Sequence, residues 1–230
     1  MLDTPEQAER FNRRLLNACV RAYAQPGPVR PGQLHVSIIG AGAIGSAIAR
    51  KFARNGIEVS IANSRGPETL QALVGELGPH VKAVSLKEAA QADIVFVAVN
   101  WDRLEGALKN LGPWNGRILV DANNAVEVPS YQPVDLGGRA SSQAVAEWAP
   151  GARVVKAFNH LVAPFLEADP EGGRRVLFVA GEDVDAKKAV SDLAVELGYV
   201  AIDLGGLEQS RLVQFPGGPL SIVNLVQLDQ

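Results

Sequence analysis

The sequence predicts an α/β protein built on a doubly wound, mostly parallel sheet covered by helices on both faces. Three observations predict it. Short, continuously apolar runs such as VSII (36–39), DIVFVAV (93–99) and RVLFVA (175–180) alternate with segments of helical periodicity. Such runs leave no solvent face, and a parallel sheet flanked by helices is the arrangement that buries both faces of every strand. The first run also leads through a glycine-rich loop into a helix, as the opening of a βαβ unit does.

Residues 1–33 read as an N-terminal helix and linker. Ala8, Phe11, Leu15, Ala18, Cys19 and Ala22 recur at helical spacing, and QPGPVRPGQ (25–33) is a Pro/Gly-rich connection. Arg13-Arg14 before Leu15-Leu16 reads as a degenerate export signal only if Asn17 and Arg21, which interrupt the apolar stretch, are ignored. An amphipathic surface helix accounts for the segment better, and a cytoplasmic location is the default.

The first domain, 34–150, starts with strand 36–39 and helix 43–55, closed by Gly56. Strand 58–62 leads to helix 67–77, which has Pro67 at a favourable first position. A weaker strand at 81–84 and a short helix at 86–91 precede strand 93–99, helix 102–110, strand 117–121 and helix 142–148. A C-terminal α/β extension, 151–230, completes the sheet with strands 153–157 and 175–180, helix 184–197 and strand 200–203. The tail FPGGPLSIVNLVQLDQ (215–230) turns and then becomes apolar, which suits a short helix on its own domain or a homodimer contact equally.

Composition excludes several function classes. A net charge of −3 without a long run of one sign offers no electrostatic footprint to nucleic acid or an anionic membrane. The lone Cys19 rules out an internal disulfide, and the scattered His35, His80 and His160 form no zinc motif, so no metal is expected. No stretch approaches the roughly twenty apolar residues of a membrane span.

Gly40-Ala41-Gly42-Ala43-Ile44-Gly45 fits G-x-G-x-x-G between a predicted strand and a predicted helix, the context that gives the pattern meaning. Gly40 permits the tight turn, Gly42 lets a pyrophosphate approach the backbone, and Gly45 lets helix pack on strand. A tight turn without ligand is the plainer alternative. About twenty residues on, an NAD-binding protein carries an Asp or Glu for the ribose hydroxyls, whereas this chain has Asn63, Ser64 and Arg65. Arg65 supplies a permanent forked cation, Ser64 a hydroxyl and Asn63 no opposing charge, which favours NADP. A solvated Arg65 is the other reading, but a cation at a helix start faces an unfavourable dipole.

Residues 36–70 resemble the opening of the deazaflavin (coenzyme F-420) dependent NADP oxidoreductases, in which a Ser-Arg pair holds the 2′-phosphate. PGARVVKAFNHLVA (150–163) resembles that family's strand after the nucleotide fold, and its Lys-Ala-Phe-Asn run is similar to one in the NADPH domain of six-transmembrane metalloreductases. Similarity runs from about Gln33 to Pro219. The resemblance implies a Rossmann fold, with Gly40 to Gly45 on the pyrophosphate, Ser64 and Arg65 on the 2′-phosphate, and Val99 and Asn100 on the ribose side. It places Ala157 and Phe158 beside the nicotinamide. Three departures stand out: Asn100 where many relatives have Pro, Ala122-Asn123-Asn124 where they have Thr-Asn-Pro, and no lysine in PETLQ where archaeal members have one.

Loops starting at Asn100, Ala122 and Phe158 should converge beyond the strands' carboxyl ends. They bring Trp101, Asn123, Asn124, Asn159 and His160. Asn123 either bonds the nicotinamide side or turns the chain, and Trp101 either stacks on a ring or packs in the core. Hydride transfer needs stacking and exclusion of water more than an acid or base. His160 is the one titrating candidate for a proton donor; its alternative is a backbone-bonded helix-start histidine. The expected function is NADP-dependent hydride transfer to a small-molecule redox substrate. The acceptor is a deazaflavin, with a flavin, quinone or small carbonyl compound as the alternative, and a non-catalytic NADP(H) sensor is the reading of a different class.

Overall fold

The computed structural model describes residues 34–229, so the N-terminal helix and linker of 1–33 lie outside the described residues. The strands are β1 (Val36–Ile39), β2 (Val59–Ala62), β3 (Val81–Ala83), β4 (Ile94–Val97), β5 (Ile118–Asp121), β6 (Arg153–Lys156), β7 (Gly173–Gly181), β8 (Val200–Gly205) and β9 (Val226–Leu228). Between them run α1 (Ala43–Arg54), α2 (Gln71–Leu77), α3 (Leu86–Ala89), α4 (Trp101–Leu111), α5 (Ser141–Trp148), α6 (Ala163–Glu167) and α7 (Val184–Glu196).

The strand order is β3-β2-β1-β4-β5-β6-β7-β8, and every neighbouring pair from β3 to β6 is parallel. All residues of β1, β4 and β5 are buried, as expected of strands that read as unbroken apolar runs. β7 runs antiparallel to β6 and parallel to β8, and the sheet continues without a break across residue 150. β1 and β4 are adjacent although β2 and β3 intervene in sequence, so the winding direction reverses there and opens a crevice at the carboxyl edge.

Each face has its own core. Phe52 of α1, Phe96 of β4, Phe158 and Tyr199 stack edge to face on the side that carries α1 and α7. The opposite side gathers Trp101, Leu104 and Leu108 of α4 with Trp114 and Val145. Trp101 packs against Trp148 with ring centroids 5.1 Å apart, so of its two readings the core one describes its contacts.

Several elements differ from expectation. The helix predicted over 67–77 opens as a 3-10 turn, Pro67–Leu70, before α2, and the one predicted over 86–91 ends at Ala89. The helix α6 and the 3-10 segment Leu207–Val213 carry no marked periodicity and were missed. The tail does not form the short helix: Val226, Gln227 and Leu228 pair antiparallel with Arg175, Arg174 and Gly173. The reason is the length of β7, whose first residues need a main-chain partner that the other strands do not supply. Buried Arg175 fastens the approach by bonding the side chain of Asn224 and lying 5.0 Å over the ring of Phe165.

A Cβ on Gly173 would stand 2.3 Å from the carbonyl oxygen of Gln227. Gly173→Ala is expected to displace β9 and lower unfolding free energy by about 1–3 kcal/mol in a urea titration.

Candidate functional site

β1 delivers the chain to Gly40, where it leaves the sheet with φ +110°. A Cβ on Gly40 would meet the carbonyl oxygen of Ala98 at 2.1 Å, and one on Gly45 that of Gly40 at 1.9 Å, so the protein's own packing demands both glycines. Gly42 is different. A Cβ there meets nothing within 4 Å, and the residue borders an open cleft. No side chain caps α1 and no acid occupies its first turn. Its leading N–H groups therefore lack acceptors and, with the helix dipole, suit an anion. This combination of room and donors fits a pyrophosphate.

The cleft measures about 1000 Å³. Gly40, Ala41, Gly42, Asn63, Ser64 and Arg65 line it together with Leu86, Lys87, Ala90, Val99, Asn100 and Arg103, so the predicted phosphate and ribose positions come together. Within the loop after β2, Asn63 Oδ1 accepts from the N–H of Arg65 at 2.9 Å and Asn63 Nδ2 donates to Thr69 Oγ1 at 2.9 Å. Asn63 thereby shapes the turn that presents Ser64 and Arg65.

Among the described residues no Asp or Glu lines the cleft, but three cations do: Arg65, Lys87 and Arg103. Among the described residues the side chains of Arg65 and Lys87 have no ion-pair partner, and Arg103 has only a 3.9 Å approach to neighbouring Asp102. Uncompensated like charges facing one cavity repel each other until a polyanion enters. Sequence reading missed Lys87 and Arg103. The signal that could have found them is that each stands at the start of a helix, where a cation faces an unfavourable dipole.

The expected nicotinamide side is closely packed. Asn123 is buried and uses its amide internally, accepting from Val99 N–H at 2.8 Å and donating to the Val97 carbonyl at 3.0 Å. Ala157 is buried and donates its N–H to the Asp121 carbonyl at 3.3 Å. Phe158 adopts φ +62° and sends its ring into the aromatic core, 5.2 Å from Phe96 and 5.7 Å from Tyr199. Asn124 and Asn159 bond each other at 3.0 Å and hold the segment after Leu207–Val213 through Phe215 N–H and the Val213 carbonyl.

His160 precedes α6, outside the lining of the cleft, with its ring 5.0 Å from that of Phe178. Neither ring nitrogen has a hydrogen-bond partner of good geometry, while its carbonyl accepts from Ile222 N–H at 2.7 Å. Burial pushes its pKa from 6.5 down to about 4, opposed only by the backbone of Val176. The folded chain therefore holds His160 neutral, and as pH falls below 6.5 the unfolded chain takes up the proton first. Stability is full above that range and is lost between pH 6.5 and 4. Unfolding free energy should drop by about 2 kcal/mol from this group between pH 7.5 and 5, a loss that His160→Phe removes from the denaturant-measured profile.

A glycine loop on a helix N-terminus, at the switch point of a doubly wound sheet, defines a dinucleotide-binding protein of the Rossmann class. The model of the coenzyme F420-dependent NADP oxidoreductase family matches residues 35–125. The chain is 46% identical to a hypothetical protein of Sinorhizobium meliloti, whose crystal structure superposes with a TM-score of 0.81 over 86% of this chain and 98% of the other. A candidate F420-dependent NADP-reductase from Arthrobacter is 28% identical over 77% of this chain and 87% of its own, with a TM-score of 0.65. The metalloreductase STEAP3 of rat is 29% identical over 181 residues, 78% of this chain. The chain spans 35% of the length of that curated relative. Among the described residues no helix is long and apolar enough to cross a membrane.

Proposed function

We propose that the protein is an NADP(H)-dependent oxidoreductase that transfers hydride between nicotinamide and a flavin-like acceptor of the deazaflavin type. The observation that carries the cofactor choice is the carboxylate-free cleft, in which Ser64 and Arg65 stand at the end of β2 beside the glycine loop. An acidic residue there would repel a 2′-phosphate, whereas Arg65 offers forked donors and Ser64 a hydroxyl. Gly40 to Gly45 would hold the pyrophosphate, and Val99 and Asn100 would border the riboses. When bound, NADPH supplies the hydride. The chain's contribution is to orient the dinucleotide along the carboxyl edge of the sheet and to keep water from the end of β6. There Ala157, Phe158 and His160 are all buried, and His160 stays neutral at physiological pH. The choice of acceptor is supported by the match of residues 35–125 to the F420-dependent family model and by the likeness to the Arthrobacter protein.

The reading includes a cytoplasmic location and a homodimer. Exposed Leu225 and Leu228 on the C-terminal segment support the dimer contact. One observation favours a second reading, a non-catalytic NADP(H) sensor. Ala157 and Phe158, the positions expected beside the nicotinamide, do not line the cleft.

Arg65→Ala is expected to weaken NADP binding about tenfold or more in calorimetric titrations while leaving NAD binding almost unchanged. Equal losses for both would refute a 2′-phosphate role. Anaerobic assays following NADPH absorbance, with deazaflavin, FMN, FAD and quinones offered separately, should show turnover with the deazaflavin. Tight NADPH binding without oxidation by any acceptor would leave the sensor.

A further inference from the structure

β5 and β6 pair in a register that sets Asp121 beside Lys156, and both side chains are fully buried. Lys156 Nζ donates to Asp121 Oδ2 at 3.1 Å, to Ser141 Oγ at 3.3 Å and to the main-chain carbonyl of Asn123. Asp121 Oδ2 also accepts from Ser142 Oγ at 2.7 Å, while Oδ1 accepts from the N–H and the Nδ2 of Asn123 at 3.1 and 2.9 Å. Asn123 in turn bonds the main chain of Val99 and Val97 beyond and within β4. One connected network therefore joins the carboxyl ends of β4, β5 and β6 to the first turn of α5.

A fold has no general need for such a group, since well-packed apolar residues of similar volume usually stabilise as well or better. What apolar residues would not do is grip Asn123. Here its N–H, carbonyl and Nδ2 are all held by the ion pair, and its remaining amide oxygen fixes Val99, which lines the cleft. None of these bonds reaches the glycine loop or Ser64 and Arg65, which hang on β1 and β2.

We propose that Lys156 and Asp121 are positioning residues for the nicotinamide half of the dinucleotide, setting the main chain after β4 and β5 through Asn123 while leaving the adenosine half untouched. The inference rests on the NADP(H) reading above. Neither residue touches the cofactor; they fix the walls between which the ring is received. Because binding groups must be held to fractions of an ångström, loosening the support costs affinity on that half alone.

The test uses the full chain and two probes, NADPH and 2′,5′-ADP, which lacks the nicotinamide half. In Asp121→Asn/Lys156→Met both charges leave together, so no unpaired one stays buried. The double variant should bind 2′,5′-ADP within about twofold of the native protein, and its ratio of NADPH Kd to 2′,5′-ADP Kd should rise about tenfold. Ser142→Ala removes only the bond to Asp121 and should move the same ratio in the same direction by about twofold, which keeps the test open should the double variant fail to fold. A general loss of structure would weaken both probes alike. An unchanged ratio in folded variants overturns the positioning role alone, whereas native protein that binds neither probe overturns the NADP(H) reading and this inference with it.

Discussion

Two opposite charges with no access to water sit at the carboxyl edge of the sheet, and the arrangement around them depends on keeping both satisfied. Taking a lysine and a carboxylate out of water costs several kcal/mol per ion. For Lys156 burial pushes the pKa down, and the neighbouring Asp121 is what opposes the loss of its proton. The desolvation is offset only because nearly every hydrogen-bonding position is used: two serines of α5, the main chain of Asn123 and its side-chain amide complete the shells. Removing one charge alone would cost about 3–5 kcal/mol, because the other would be left buried and unpaired. The pair also fixes register. Slipping β6 by one residue against β5 would turn Lys156 to the opposite face and leave Asp121 without its cation.

The two halves of the carboxyl edge are consequently built on different principles. On the β1–β2 side the loops are open, hydrogen-bonded locally and cationic, with Asn63 and Thr69 holding a turn whose outer face is left to Ser64 and Arg65. On the β5–β6 side the loops are tied down by buried polar groups and by aromatic packing. Phe158 illustrates the second principle. Its backbone sits at φ +62°, a region a bulky residue rarely adopts, and the ring contacts with Phe96 and Tyr199 hold it there. Tyr199 is itself fixed by donating its hydroxyl to the Leu166 carbonyl, which links that turn to α6.

The strands and the glycine loop were legible in the sequence because their causes are local. A strand buried on both faces must be apolar throughout, and Gly40 and Gly45 have no alternative where a Cβ would fall 2.1 and 1.9 Å from a carbonyl oxygen. What escaped the sequence is set by neighbours that only the fold supplies. Val226–Leu228 becomes a strand because β7 overruns its other partners. Lys156 within an apolar run would ordinarily be read as a charge on its way to solvent; only the register with Asp121 makes it an interior residue. Lys87 and Arg103 arrive at the cleft from two separate crossovers, after β3 and after β4, and nothing in their spacing announces that they share a cavity. Arg65 was legible because its cue, a missing acid at a fixed distance from the glycine loop, is one of sequence.

That missing acid sharpens what Asn63 does. An aspartate in its place has nearly the same shape and would accept the Arg65 N–H just as Asn63 Oδ1 does, so the turn alone does not require the amide. The difference lies in charge and in one donor: Asn63 Nδ2 gives its hydrogen to Thr69 Oγ1, and among the described residues no carboxylate lines the cleft. In a protein of net charge −3, a cavity with three cations and no anion among the described residues on its walls is a local reversal of the overall sign. Solubility does not call for it, and repulsion among the cations works against it. A carboxylate at position 63 would relieve that repulsion but would also cancel the attraction for a 2′-phosphate, so the charge pattern suits the phosphorylated dinucleotide proposed as the ligand. Under the proposed reading, selectivity between two nearly identical cofactors rests on which charge the loop omits as well as on which one it supplies.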